Sequence, residues 1–410
     1  MLLGDGYFAS VALAVPSLSF CRSAPEHGSG EAGGSLEIPS GAMTRRLPPA
    51  VIILLMATWQ TGVPILALAV LATGMVLPVD TPLGVLCVAS LIGAVIAAVH
   101  HAEVIAHRVG EPFGTLVLAV AVTVIEAALI LSMMLAGGPD TATLPRDTIF
   151  SAIMIICNGV VGICLLVGGI RHREQSFRIE GTSSGLAALI AMATLSLVLP
   201  SFTTSSPSGT YTDSQLTFVA ASSMALWAVF VFIQTVRHRD YFLPAGDLSN
   251  DETHAPPPGN KRAWASFGLL LVSLAGVVGL AKLLSPSLER FVESIQAPKA
   301  VVGIAIALLV LLPETWAAVR AARANRLQTS MNLAIGSALA SIGLTIPVVV
   351  AAAVVLHLPL VLGLEAKDMV LIALTFVVGA ITLASGRTNM MHGAVHLVLF
   401  AAFLFLALVP

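Results

Sequence analysis

From residue 50 onward, long apolar runs alternate with short polar stretches along the chain. A helix needs about 20 mostly apolar residues to cross the hydrocarbon core of a bilayer. The first run is the least regular, because Gln60, Thr61 and Pro64 interrupt it. The pattern predicts an all-α integral membrane protein with eleven transmembrane helices, at approximately 50–77, 83–105, 113–137, 148–170, 183–202, 215–236, 263–284, 298–320, 329–356, 367–385 and 391–409.

Two regions fall outside these runs. Within residues 1–49, the apolar stretch from Tyr7 to Phe20 is too short to span, and Gly, Ser, Pro and Glu dominate from Arg22 to Gly41, which is typical of a disordered extension. Residues 237–262 contain Asp247, Asp251, Glu252 and three consecutive prolines, which is typical of a flexible linker. The acids of this linker either sense a cation or only keep the tether solvated.

Basic residues are divided unevenly between the two alternating sets of loops. If the first helix begins in the cytoplasm, the cytoplasmic loops hold fourteen Lys and Arg and the external loops hold five. Cytoplasmic loops of membrane proteins gather Lys and Arg, and one miscounted helix would remove the bias. The charges therefore support eleven spans. They predict a multi-pass protein of the cell inner membrane, with a cytoplasmic N-terminus and an external C-terminus.

Composition excludes several other classes of protein. Hydrophobic residues make up 57% of the chain and charged residues 10%, against about 25% charged in soluble domains. The net charge of -2 provides no basic surface for nucleic acid, and the four cysteines include no CxxC pair. No nucleophile and base, and no metal triad, lie within the spans, which argues against an intramembrane hydrolase. We expect lipid as a partner and no cofactor, and the sequence does not indicate an oligomeric state.

The third and eighth segments resemble each other. Each begins near a proline, Pro112 or Pro298, and each reaches a glutamate, Glu126 or Glu314. The two segments cross in opposite directions and are five spans apart, as in the inverted repeats of secondary transporters. Pro313 is expected to break the eighth helix beside its glutamate. The predicted organisation is one extra helix plus two inverted five-helix repeats: extension 1–49, first helix 50–77, first repeat 83–236, cytoplasmic linker 237–262 and second repeat 263–410.

Glu126 and Glu314 are the only acids well inside predicted spans. An acidic residue at a helix centre costs about 2.5 to 3.5 kcal/mol on insertion, and no Lys or Arg lies at the same depth to neutralise these two. Ca2+ takes six to eight oxygen ligands, carboxylates among them, and two protons would cancel the same charge. Competition for one site predicts Ca2+/H+ exchange, with Na+/H+ or K+/H+ exchange as the alternative. A scaffold without transport would leave both acids unexplained.

Other polar residues in or near the spans have two interpretations each. Asn158, Ser337 and Asn332 either coordinate the ion or form hydrogen bonds between helices. His396 either relays protons or is a packing histidine with hydrogen-bond partners. A cluster between the second and third helices favours a metal or pH-sensing site, or only a solvated rim; it consists of His100, His101, Glu103, His107 and Glu111.

Several long motifs, in order, resemble the bacterial ChaA-type calcium/proton antiporters of the calcium/cation antiporter superfamily. They are HAEVIAHRVGEPFG from His101, AVTVIEAALI around Glu126, LLPETWAAV around Glu314, MNLAIGSALASIGLTIPVVV from Met331 and SGRTNMMHGAVHLVLFAA from Ser385. The resemblance covers residues 50–410. It implies an eleven-helix fold with two inverted five-helix repeats, and it places the ion-binding acids at Glu126 and Glu314. It also implies Ca2+ export driven by inward protons, with Na+ or K+ as alternative substrates.

Overall fold

The computed structural model describes residues 49–79, 81–110, 113–243, 258–294, 298 and 300–409. The predicted disordered extension therefore lies outside the described residues except for its last residue, and so do residues 244–257 of the predicted linker, Glu111 and Pro112. The chain divides into two compact units, Met1–Gly62 and Val63–Pro410. Of the first unit, residues 49–62 are described, and they form the start of the first helix.

The described residues contain eleven helices long and apolar enough to cross a membrane, as the hydropathy pattern predicts. Most begin and end within a few residues of the predicted bounds. The largest difference is at the seventh helix, which continues ten residues beyond the predicted end at residue 284. The helices are α1 Pro49–Val76, α2 Thr81–Val109, α3 Phe113–Gly137, α4 Leu144–His172, α5 Ile179–Ser201, α6 Asp213–Arg237, α7 Asn260–Ser294, α8 Ala300–Arg323, α9 Leu327–Leu356, α10 Ala366–Ala384 and α11 Met390–Leu408.

Loops at one end of the bundle are hydrogen bonded to one another. Strand β1 (Glu174–Ser176), after α4, pairs antiparallel with strand β2 (Arg387–Asn389), between α10 and α11. The Gln175 side chain donates to a backbone carbonyl at the end of α8 (3.0 Å). The Arg178 guanidinium donates to the Asp240 carbonyl after α6 (2.8 Å). We call this end the basic face, because it gathers the loops after α4, α6, α8 and α10, in which basic residues predominate.

The loops after α3, α5 and α9 meet at the other end of the bundle. The Val361 N–H donates to the Ala142 carbonyl (3.0 Å), and the Leu362 N–H donates to the Gly209 carbonyl (3.0 Å). The loops after α3 to α6, and those after α8 to α10, thus alternate between two ends, as the predicted topology requires. Helices α3 and α8 consequently run in opposite directions, and so do α4 and α9. This is the inverted relation that the sequence predicts for the two halves.

Helices α3, α4 and α9 form the centre of the bundle. Within their spans, 61%, 83% and 56% of the residues are buried, against 17% in α11. Polar groups on the three central helices are therefore held in a low-dielectric environment. A functional site built from them would be shielded from lipid.

The helical hydrogen-bond pattern changes in the middle of α4 and of α9. Each contains a π-helical turn, Ile155–Val160 in α4 and Ser341–Thr345 in α9. Such turns insert extra backbone into a helix and occur frequently at functional sites. The predicted break at Pro313 is wrong, since α8 is a continuous α-helix through that residue. Membrane helices tolerate proline because neighbouring groups satisfy the freed carbonyl.

Candidate functional site

Glu126 lies in the middle of α3 and is 2% exposed. Its Oε2 atom accepts a hydrogen bond from the Ser341 hydroxyl at 2.5 Å, and the Thr345 hydroxyl is 3.5 Å from the same oxygen. Its Oε1 atom is buried without a hydrogen-bond partner. A buried carboxylate oxygen with no donor is a position where a proton or a cation is needed.

Glu314 lies in the second half of α8 and is less buried than Glu126. Its Oε2 atom accepts a hydrogen bond from the Ser337 hydroxyl. A small cavity adjoins the carboxylate, between α4, α8 and α9. Ala318 and Leu333, which line this cavity, lie nearer the basic face than Glu314 does, so the cavity extends from the carboxylate towards that face.

The two carboxylates meet on one face of α9. Ser337 and Ser341 are four residues apart, so their side chains are neighbours on the helix surface. At 1.5 Å per residue, the two serines are separated by roughly 6 Å along the axis. Each carboxylate accepts a hydrogen bond from one of these serines, so Glu314 and Glu126 lie beside successive turns of α9. The structure therefore brings together the two acids that the sequence singles out, on oppositely directed helices α3 and α8.

Close helix packing positions α9 against this pair. At Gly343, inside the π-helical turn of α9, an added Cβ would lie 2.4 Å from the Cβ of Trp227 on α6. Only glycine allows α6 and the turn to approach this closely. Thr345, the last residue of the same turn, lies with Ser341 on the side of α9 that faces Glu126.

The two asparagines predicted as further ligands make other hydrogen bonds in this structure. The Asn158 amide donates to Thr375 on α10 (2.8 Å). The Asn332 amide donates to the Phe242 carbonyl near the basic face (2.6 Å). Of Asn158, Ser337 and Asn332, Ser337 alone is hydrogen bonded to one of the acids among the described residues. An ion-binding role for Asn158 and Asn332 stays a prediction.

Sequence reasoning did not single out Ser341 and Thr345 as site residues. Serine and threonine are common in membrane helices, where they pack well at helix interfaces, so their presence alone carries little information. A usable signal is the spacing of Ser337, Ser341 and Thr345, because hydroxyls at intervals of four residues form one stripe on a helix. Among the described residues, no three or more His, Cys, Asp or Glu form a metal-binding group, and this includes the described members of the cluster around His101.

This combination of fold and site defines a class of protein. Oppositely directed helices that meet near the middle of a membrane bundle, with broken helical geometry beside the meeting point, are the arrangement of secondary ion transporters. The chain belongs to the sodium/calcium exchanger protein family, whose model matches residues 81–236 and 265–409.

Two relatives resemble the chain over most of their length. A Sinorhizobium fredii protein, y4hA, whose name describes an ionic transporter, is 47% identical over 359 residues, which cover 86% of this chain and 96% of that protein. The sodium-potassium/proton antiporter ChaA of Escherichia coli is 37% identical over 347 residues, which cover 83% of this chain and 93% of ChaA. The chain is thus a transporter rather than an enzyme.

A solved structure shares the fold. The H+/Ca2+ exchanger CAX superposes with a TM-score of 0.66 at 14% sequence identity, covering 87% of this chain and 89% of that chain. This likeness confirms the eleven-helix architecture.

Proposed function

We propose that this chain is an antiporter of the bacterial inner membrane that exchanges cytoplasmic Ca2+ for external protons at Glu126 and Glu314. The observation that carries the proposal is that serines one helical turn apart on α9 hold both carboxylates side by side. When ionised, the pair carries two negative charges in the low-dielectric centre of the bundle. One Ca2+ or two protons cancel that charge.

Coupling follows from the cost of an uncompensated charge. The spans α3 and α9 contain no Lys or Arg among the described residues, and in α8 the basic residue nearest to Glu314 is Arg320, more than one turn away. The acids therefore need a cation or protons to become neutral. An empty, doubly ionised site would be too costly to carry through a change of access. The site therefore changes access only when it has bound either the cation or protons. The cation crosses in one direction and the protons cross in the other. Site oxygens available to a hard dication include the carboxylates and the hydroxyls of Ser337, Ser341 and Thr345.

Access and orientation follow from the same geometry. The basic face lies in the cytoplasm in this proposal, because cytoplasmic loops gather Lys and Arg. The cavity beside Glu314 extends towards that face, whereas Glu126 lies about one helical turn deeper along α9. Cytoplasmic Ca2+ thus meets Glu314 first and then Glu126.

Proton-coupled flux in proteoliposomes tests the proposal. A pH-sensitive dye in the vesicle lumen reports proton movement when Ca2+ is added outside. We expect Glu126→Gln and Glu314→Gln each to abolish exchange, because an amide keeps the shape of the side chain but cannot trade a proton for a cation. Glu180→Gln is the matched control, since Glu180 is exposed in the first turn of α5, near the basic face and outside the site. Full exchange in both site variants would remove the two acids from the mechanism.

The second candidate function is Na+/H+ or K+/H+ exchange at the same acids. The 37% identity to ChaA, which is named a sodium-potassium/proton antiporter, favours it. The same vesicles distinguish the two candidates when Na+ and K+ replace Ca2+. A proton flux with Na+ or K+ and none with Ca2+ would decide for the second candidate.

A further inference from the structure

A buried chain of hydrogen bonds ties α11 and α10 to α4. His396 of α11 is 2% exposed. Its Nδ1 atom lies 3.1 Å from Asn158 Oδ1, and its Nε2 atom lies 3.1 Å from the Thr382 hydroxyl. The Asn158 amide donates in turn to the Thr375 hydroxyl at 2.8 Å, and that hydroxyl donates to the Leu371 carbonyl at 2.8 Å.

The direction of these bonds fixes the tautomer of the ring. Because the Asn158 amide nitrogen donates to Thr375, its Oδ1 atom is the acceptor and the Nδ1 atom of His396 carries the hydrogen. The Nε2 atom is then the acceptor for the Thr382 hydroxyl. Both ring nitrogens are thus used, and the chain ends at a backbone carbonyl. Among the described hydrogen bonds, none joins His396, Asn158, Thr375 or Thr382 to Glu126 or Glu314.

The chain holds the part of α4 that borders the ion cavity. Asn158 belongs to the π-helical turn Ile155–Val160, so the hydrogen bond from His396 holds that turn directly. Ile156 and Val160, in the same turn, line the cavity beside Glu314. Displacing the turn would therefore move a wall of the cavity.

We propose that His396 is a positioning residue for ion exchange, which fixes Asn158 and so sets the π-helical turn of α4 against the cavity at Glu314. The inference rests on the function proposed above, because it assigns His396 an effect on cation binding at that site. In this proposal His396 does not carry protons. The ring acts through Asn158 and does not touch the transported ion.

Kinetics of substituted proteins in proteoliposomes test the inference. His396→Leu keeps the side-chain bulk but leaves Asn158 Oδ1 without its donor, and we expect the KM for the transported cation to rise about tenfold with a smaller change in maximal rate. His396→Gln keeps one donor and one acceptor, and its KM should stay within about threefold of the parent value. If His396→Leu does not fold, Thr382→Val releases the ring from one side only, and its KM should rise by about threefold.

Ser223→Ala is the matched control, because it removes one member of a buried serine pair between α5 and α6. Its KM should equal that of the parent. Parent-like KM values in both His396→Leu and Thr382→Val would overturn the inference, and so would loss of proton coupling in a folded His396→Gln protein. All variants are measured with whichever cation the parent exchanges. If Ca2+ is not the transported cation, the parent protein itself does not exchange Ca2+ for protons. If His396 does not position the site, the variants keep the KM of the parent.

Discussion

Truncation of Ser341 tests how the hydroxyls of α9 support cation binding at Glu126. The Ser341 hydroxyl donates to Glu126 Oε2 at 2.5 Å, whereas Thr345 is 3.5 Å from the same oxygen, so Ser341 makes the stronger bond. A hydrogen bond to a charged group contributes about 1.5–3 kcal/mol. The ionised carboxylate is the form that binds a cation, and in Ser341→Ala it loses this contribution.

We expect Ser341→Ala to raise the KM for the transported cation by about 10- to 150-fold, which is the same free energy expressed as a ratio. Thr345→Val should raise it by less than about threefold, because the longer bond contributes less. Initial rates of cation-driven proton flux across a concentration series give both values. Ser223→Ala again serves as the control. A parent-like KM in Ser341→Ala, or an equal rise in the control, would refute the argument that this hydroxyl stabilises the charged site.

Two further predictions concern packing and orientation. Gly393→Ala should lower the melting temperature in detergent, because the added Cβ would lie 2.4 Å from the backbone nitrogen of Leu166. Overpacking of this kind costs about 1–3 kcal/mol. Gly336 has open space around it, so Gly336→Ala should leave the melting temperature unchanged or raise it. A cysteine replacing Ser205 should react with an impermeant maleimide in intact cells, and one replacing Glu174 only after permeabilisation. The reverse labelling pattern would contradict a cytoplasmic basic face.

The fold was predictable because insertion into a bilayer depends on local composition. Helix α10 was predicted at 367–385 and spans Ala366–Ala384, since polar residues bound its apolar run on both sides. Helix α7 continues to Ser294, ten residues beyond its predicted end. The prediction stops at Leu284 because the residues that follow include charged side chains and Pro286. Hydropathy treats such residues as a loop, yet a helix can continue beyond the hydrocarbon core, where its polar side chains are solvated.

The site was only partly predictable, for a different reason. Glu126 and Glu314 stand out because an acid in an apolar run is costly wherever the helix lies. The direction of an amide or hydroxyl depends instead on the neighbouring helices. Asn158 has an amide oxygen that could bind a cation, but this side chain is hydrogen bonded to His396 and Thr375. Such partners are more than 200 residues away in the sequence, and no local pattern reveals them.

The two halves of the chain contribute unequally to the proposed site, and this inequality bears on coupling. All the side-chain hydrogen bonds described for the two carboxylates come from α9, whereas Asn158 of α4 is bound to α10 and α11. Because Ser337 and Ser341 lie on successive turns of one helix, a movement of α9 changes the surroundings of both carboxylates together. In the proposed cycle the pair is therefore neutralised as a unit before access changes. A site that binds its two neutralising charges jointly favours strict exchange. Two acids whose hydrogen-bond donors came from separate helices could bind and release protons independently and leak protons.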